Sequence, residues 1–215
     1  MESRYDTQSF YCASDRPLTI LDFKDYPDGH CALLIEGSIA GEVSRVGICR
    51  NPRYVSDEDC VQNWTQMALC RDAGATHLDH AVLQEAFART LCGDRPENQN
   101  PRQTRQRGCS SKCREPDANR NYPEACLDMS MIRNTSTMFR NFFLTSSGQM
   151  GLEQPPICPG DKVCILSGGE MPFVLRDFEN GKFSLVGPAY VDGIMDGEPT
   201  KVEGFEESLR IFEIF

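Results

Sequence analysis

The densest run of side chains that could do chemistry lies near the end of the chain, in Asp192-Gly193-Ile194-Met195-Asp196-Gly197-Glu198. Two carboxylates beside a cavity can work as an acid and a base when their surroundings push their proton affinities apart. Asp192, Asp196 and Glu198 are therefore the candidate catalytic residues. Acid-glycine pairs are also ordinary turn chemistry, and that reading stands beside the first. Arg176 is a charged residue inside the apolar run Phe173-Val174-Leu175-Arg176-Asp177-Phe178. It can clamp a ligand carboxylate, or pair with one of these acids across a sheet. Arg176 and Tyr190 are the candidate ligand-binding residues.

Other constellations carry less. Cys109 and Cys113 are the closest cysteine pair, with Cys126 the nearest third thiol and no histidine close by. A structural zinc needs four ligands, usually in two spaced pairs; incidental thiols are the simpler reading, and no metal is expected. His77 and His80 have no acidic partner one turn on, and His30 follows a Pro-Asp-Gly turn. There is no G-x-S-x-G elbow, no GxGxxG and no Walker loop, so no cofactor is expected. Ser167-Gly168-Gly169 reads as a hairpin connection.

The whole chain has 215 residues and a net charge of −10. A nucleic-acid binder needs a basic face to neutralise phosphates, so nucleic acid is a disfavoured partner. One segment departs from this. Arg102, Arg105, Arg107, Lys112, Arg114 and Arg120 stand against only Glu115 and Asp117. It reads as a solvated loop, with contact to RNA, membrane or an acidic partner as the alternative. The eleven cysteines follow a polar start without a secretory apolar core. They read as reduced thiols in a cytoplasmic protein. No run of about 20 apolar residues is present, so no membrane partner is expected.

The positioning elements follow from pattern. Residues 18–23, the run from Cys31 to Ile35, and the alternation Ile39, Gly41, Val43 predict two or three antiparallel strands. Ser56 followed by Asp57, Glu58 and Asp59 predicts a capped helix bearing Val61, Trp64, Met67 and Ala68 on one face. A second helix starts near Thr76, buries Val82, Leu83, Ala86, Phe87, Thr90 and Leu91, and ends at Gly93. A third is expected over 123–140. Strands are expected at 140–145, 162–166, 173–178 and 183–187, with Asn180-Gly181 as a hairpin turn, and at 209–215, where the chain could close the sheet. The fold class is α+β, mostly β: an antiparallel β-barrel or strongly curled sheet with a two- to three-helix insertion. The expected organisation is one β-rich domain over 1–215, with a helical insertion at 56–93 and a flexible basic loop at 94–122.

An ordered series of short motifs adds to this. Phe142-Phe143-Leu144-Thr145 is followed by Gly148-Gln149-Met150-Gly151-Leu152 and Pro159-Gly160-Asp161-Lys162-Val163-Cys164-Ile165-Leu166. Then come Gly168-Gly169-Glu170-Met171-Pro172-Phe173-Val174-Leu175-Arg176 and Tyr190-Val191-Asp192-Gly193-Ile194-Met195-Asp196-Gly197-Glu198. Tyr11-Cys12-Ala13-Ser14, Glu36-Gly37 and Glu85-Ala86-Phe87-Ala88-Arg89-Thr90-Leu91 precede them in the same order. Over about residues 10–200 the series resembles the C-terminal region of fungal heterokaryon-incompatibility (HET) domain proteins. The resemblance implies the downstream module without the N-terminal HET domain, whether a fragment, a truncated paralogue or a diverged protein. It supplies no catalytic residue. The function it implies is a non-catalytic cytosolic module for partner recognition or regulation in fungal incompatibility or stress signalling, binding a protein partner or a small-molecule ligand. The alternative is a small barrel enzyme, a cofactor-free cyclase or isomerase recruited to specialised metabolism.

Overall fold

The computed structural model describes residues 12–14, 16, 20–69, 80–93, 137–179 and 181–215. Strand β1 (Ile20–Asp25) pairs antiparallel with β2 (Cys31–Cys49). Helices α1 (Asp57–Leu69) and α2 (His80–Cys92) come between β2 and β3 (Asn141–Thr145). Then follow β4 (Met150–Glu153), β5 (Lys162–Leu166), β6 (Phe173–Glu179), β7 (Lys182–Pro188), β8 (Tyr190–Val191) and β9 (Arg210–Ile214).

Five of these strands close a barrel in the order β5-β6-β7-β9-β2, with β2 pairing back to β5. Every barrel strand sends side chains inward. Ile35 comes from β2, Cys164 and Leu166 from β5, Leu175 from β6, Phe183 from β7, and Phe212 and Ile214 from β9. Closure by the last strand, expected from its alternating pattern, is thus present. One pairing differs from an all-antiparallel barrel: β7 and β9 run parallel, with Lys182 opposite Glu213 and Phe183 opposite Ile214. After β7 the chain leaves the barrel for β8 and returns through short 3₁₀ turns at Pro199–Lys201 and Glu206–Ser208. It therefore enters β9 in the direction in which it entered β7.

The opening strands number two, within the two or three expected. What reads as separate runs around Gly37 is one 19-residue strand, bent at register shifts between Ile39 and Gly41 and between Val43 and Arg45. At Gly37 the strand crosses so close to β5 that a Cβ would sit 2.5 Å from the Ile165 carbonyl oxygen. The glycine marks a close approach and does not end the strand. The length of β2 lets its first half serve the barrel while its second half carries a smaller sheet, β2-β3-β4-β8.

That smaller sheet lies between the helices and the barrel, which is why all five residues of β3 are buried. Its outer face presents Phe142, Leu144, Met150 and Leu152 to Trp64, Met67, Leu83, Phe87 and Leu91 of the helices. Phe142 lies 6.0 Å from the Trp64 ring and meets Phe87 edge-on at 5.3 Å. Its inner face packs Phe143 and Val191 against Val163, Ile165 and Val174 on the barrel wall. Local chemistry starts α1 as expected: the Ser56 hydroxyl accepts the Asp59 N–H at 3.1 Å, and three acids stand in the first turn. The second helix buries Leu83, Phe87, Thr90 and Leu91, whereas Val82 is exposed. The Thr76 cap, the 94–122 loop, the Cys109–Cys113–Cys126 group, His77 and nearly all of the expected third helix lie outside the described residues. Among the described residues no helix is long and apolar enough to cross a membrane.

Candidate functional site

The end of β8 brings together two of the five candidate residues, Tyr190 and Asp192. Both Asp192 carboxylate oxygens accept hydrogen bonds from one guanidinium: Arg89 donates from Nε at 2.8 Å and from the second terminal nitrogen at 2.9 Å. The remaining terminal nitrogen of Arg89 donates to Glu85, one turn earlier on α2, at 2.7 Å. The Tyr190 hydroxyl makes a longer contact with Asp192, at 3.4 Å. The Asp192 N–H donates to the Met150 carbonyl, which holds the acid against β4. Hydrogen bonding to Asp192 raises the proton affinity of Arg89 above its ordinary value. A two-pronged, half-buried pair of this kind is among the stronger polar contacts available to a protein. Chemically it ties α2 to β8 and commits the Asp192 oxygens to Arg89.

Asp196 and Glu198 are joined differently. The Glu198 carboxylate accepts the Asp196 backbone N–H at 2.7 Å, and Lys201 donates to the Asp196 carbonyl. The two acids thus meet through backbone in a tight turn, with Glu198 exposed.

Arg176 is elsewhere. It donates to both oxygens of Asp161 at 2.8 Å each, and also to the Pro156 carbonyl. The partner anticipated among the acids at 192–198 is instead Asp161, brought beside it by the β5–β6 hairpin, where Lys162 faces Leu175. Asp161 is buried and also accepts the Cys158 N–H at 2.7 Å, so the pair fixes the turn that enters β5.

Three charged residues not singled out from sequence are central to the described structure. Arg89 ends the Glu85-x3-Arg89 pair, a spacing that a helical reading can find. Arg50 is a buried cation whose Nε donates to Asp57 and whose terminal nitrogen donates to Thr137. Glu153 is 1% exposed, and burial pushes its carboxyl up to about 7. A lone acid after Met150-Gly151-Leu152 was the only sequence signal for it. Among the described residues no group of three or more potential metal ligands assembles.

A closed five-stranded barrel with an attached sheet and two helices, with Asp192, Arg176 and Glu198 engaged in internal contacts, defines a small β-barrel module. Residues 115–209 match the family model of the Het-6 β-barrel domain. That match takes in β3 to β8; β2 and β9, which complete the barrel, lie outside it. The chain is also 41% identical over 59 residues to "Heterokaryon incompatibility protein 6, OR allele" of Neurospora crassa. The matched stretch is 26% of this chain and 9% of that protein's length. No solved structure matched the chain. The chain is thus similar to the Het-6 β-barrel domain over residues 115–209 and, over a short stretch, to a heterokaryon-incompatibility protein of which it spans only a small part.

Proposed function

We propose that the chain is a non-catalytic module for partner recognition or regulation, acting in the cytoplasm in fungal incompatibility or stress signalling. The observation that carries this reading is the use made of the candidate residues. Asp192 is bound to Arg89, Arg176 to Asp161, and Glu198 to the backbone of its own turn. These contacts build the fold. The barrel interior is filled by seven apolar side chains. Kinship with a heterokaryon-incompatibility protein points the same way.

Large side chains stand exposed beside the end of the β2–β3 pair. Phe139 is half exposed and Tyr54 more so, and the Phe139 N–H donates to the Arg50 carbonyl. Phe139 also holds a φ of 58°, in the left-handed region that bulky residues avoid. Strain of this kind persists only where its surroundings enforce it.

The test is site-specific photo-crosslinking in a filamentous fungus, with the reactive residue at position 54 or 139 and, as a control, at exposed position 160. The reading expects a discrete protein adduct from 54 or 139 and none from 160. Consumption of a metabolite from fungal extract by the purified chain, abolished in Asp192→Asn, would overturn it.

A further inference from the structure

Among the described residues four buried side-chain atoms have no hydrogen-bond partner: Tyr26 Oη, Thr65 Oγ1, Asn141 Oδ1 and Glu153 Oε2. The last two are not scattered. Asn141 and Glu153 sit directly opposite each other in the β3–β4 register. Residues so paired share one face, with Cβ atoms roughly 4.5–5.5 Å apart. Phe143 and Gly151 lie two positions along on the same face, and Phe143 packs in the layer between the small sheet and the barrel wall.

The amide orientation of Asn141 is settled by its other end. Its Nδ2 donates to the Gly47 carbonyl at 2.7 Å, so turning the amide would set two oxygens against each other. Asn141 Oδ1 is therefore an acceptor awaiting a donor. An ionised Glu153 has acceptors only, so it offers nothing to the amide oxygen across the strand pair. A proton on Glu153 Oε2 would give Asn141 Oδ1 a donor and that carboxyl oxygen an acceptor. Across the layer, a Cβ on Gly187 of β7 would lie 2.5 Å from Glu153 Oε1. The glycine leaves room for the carboxyl to bridge from sheet to barrel.

We infer that Glu153 is a proton-binding site that latches the small sheet to the barrel, its neutral carboxyl donating to Asn141 Oδ1 and resting against Gly187. Loss of the proton leaves a buried carboxylate against an amide oxygen and opens the latch. The described groups that act on Glu153 are few. Asn141 faces it from β3, with Arg140 just before that strand; Gly187 faces it from β7; the Gln154 N–H lies next in the chain. Arg140 and the Gln154 N–H favour the ionised form, and burial outweighs them. The carboxyl thus moves from an ordinary 4.5 to about 7. Between these values the unfolded chain binds fewer protons than the folded one, so stability falls as pH rises from about 4.5 and levels off above about 7. The change corresponds to roughly 300-fold in the folding equilibrium constant.

The direct test is NMR titration of the side-chain carboxyl carbons of the full chain labelled with ¹³C-glutamate, with Glu153→Gln assigning the signal. The inference expects a midpoint near 7 for Glu153, and a lower midpoint in Asn141→Ala, where the neutral acid has lost its acceptor. Urea unfolding of Glu153→Gln should show that this group's fall in stability between about pH 4.5 and 7 is gone. A midpoint at the ordinary 4.5, or one unmoved by Asn141→Ala, would overturn it. Where Asn141→Ala does not fold, the wild-type titration still decides the matter, since a Glu153 midpoint at the ordinary 4.5 overturns the inference.

Discussion

Replacing Gly151 by alanine tests the three-layer packing at its tightest point. The added methyl would collide with Phe143 Cζ, and would lie 2.6 Å from Phe143 Cε1 and 2.8 Å from the Tyr190 carbonyl oxygen. Neither neighbour can yield at low cost. The Phe143 ring is fully buried against the barrel wall, and the Tyr190 oxygen belongs to the backbone of β8, whose pairing with β4 has only two registered positions. Overpacking of this kind costs about 1–3 kcal/mol, and two unyielding neighbours place Gly151→Ala near about 3. For a chain of this size that lowers Tm by roughly 6–12 °C. Urea unfolding followed by the emission of Trp64, the single tryptophan, buried in the helix–sheet core, measures it. Phe143→Leu in the same chain should return part of the loss, with a coupling above about 0.5 kcal/mol in the double-mutant cycle. A Gly151→Ala protein within about 0.5 kcal/mol of wild type, or additive effects in the cycle, would refute the packing described.

Further outcomes follow from the polar contacts. Arg89→Ala leaves the Asp192 carboxylate half-buried without its partner and should cost about 1–2 kcal/mol, discounted for the exposed side of the pair; hydrogen exchange should rise first in α2, and Arg89→Lys should recover only part of the loss. Asp161→Ala removes the acceptor for Arg176 and for the Cys158 N–H together and should cost about 2–3 kcal/mol by urea unfolding, with exchange rising at the start of β5. Burial pushes the Cys164 thiol up to about 12 and the Cys60 thiol up to about 11, so at pH 8 a thiol reagent should label exposed Cys158 and spare both until urea unfolds the chain.

Much of the architecture is legible in local pattern. The strand expected at 162–166 is β5, and the one at 173–178 is β6 with one more residue. The alternation near the C-terminus marks the strand that closes the barrel. Local signals act over a few residues, and these features depend on nothing longer. Gly37 shows where such reading stops. A glycine inside a strand signals a bulge or a close backbone approach, but which backbone approaches, here that of Ile165, is set by the barrel. The parallel β7–β9 pair likewise depends on a crossover through β8, which no window of sequence contains.

The site residues show the same division. An arginine within an apolar strand needs a partner, and this much Arg176 announced; which acid supplies it was decided by the β5–β6 hairpin, which selects Asp161. Tyr190 and Asp192 lie two residues apart in sequence, whereas Arg89 reaches Asp192 from 103 positions earlier. Glu153 carries little signal in sequence because its burial arises only when the small sheet stacks on the barrel.

Barrel closure by β9 joins β7 to β2, and backbone NOEs from the chain test it most directly. The structure predicts that Ile214 shows cross-strand contacts to Leu33 on one side and to Phe183 on the other, with the Phe183 and Phe212 rings in contact at 5.1 Å. Contacts to only one of the two strands would mean an open sheet, and would contradict both the filled interior and the placement of the small sheet upon its wall.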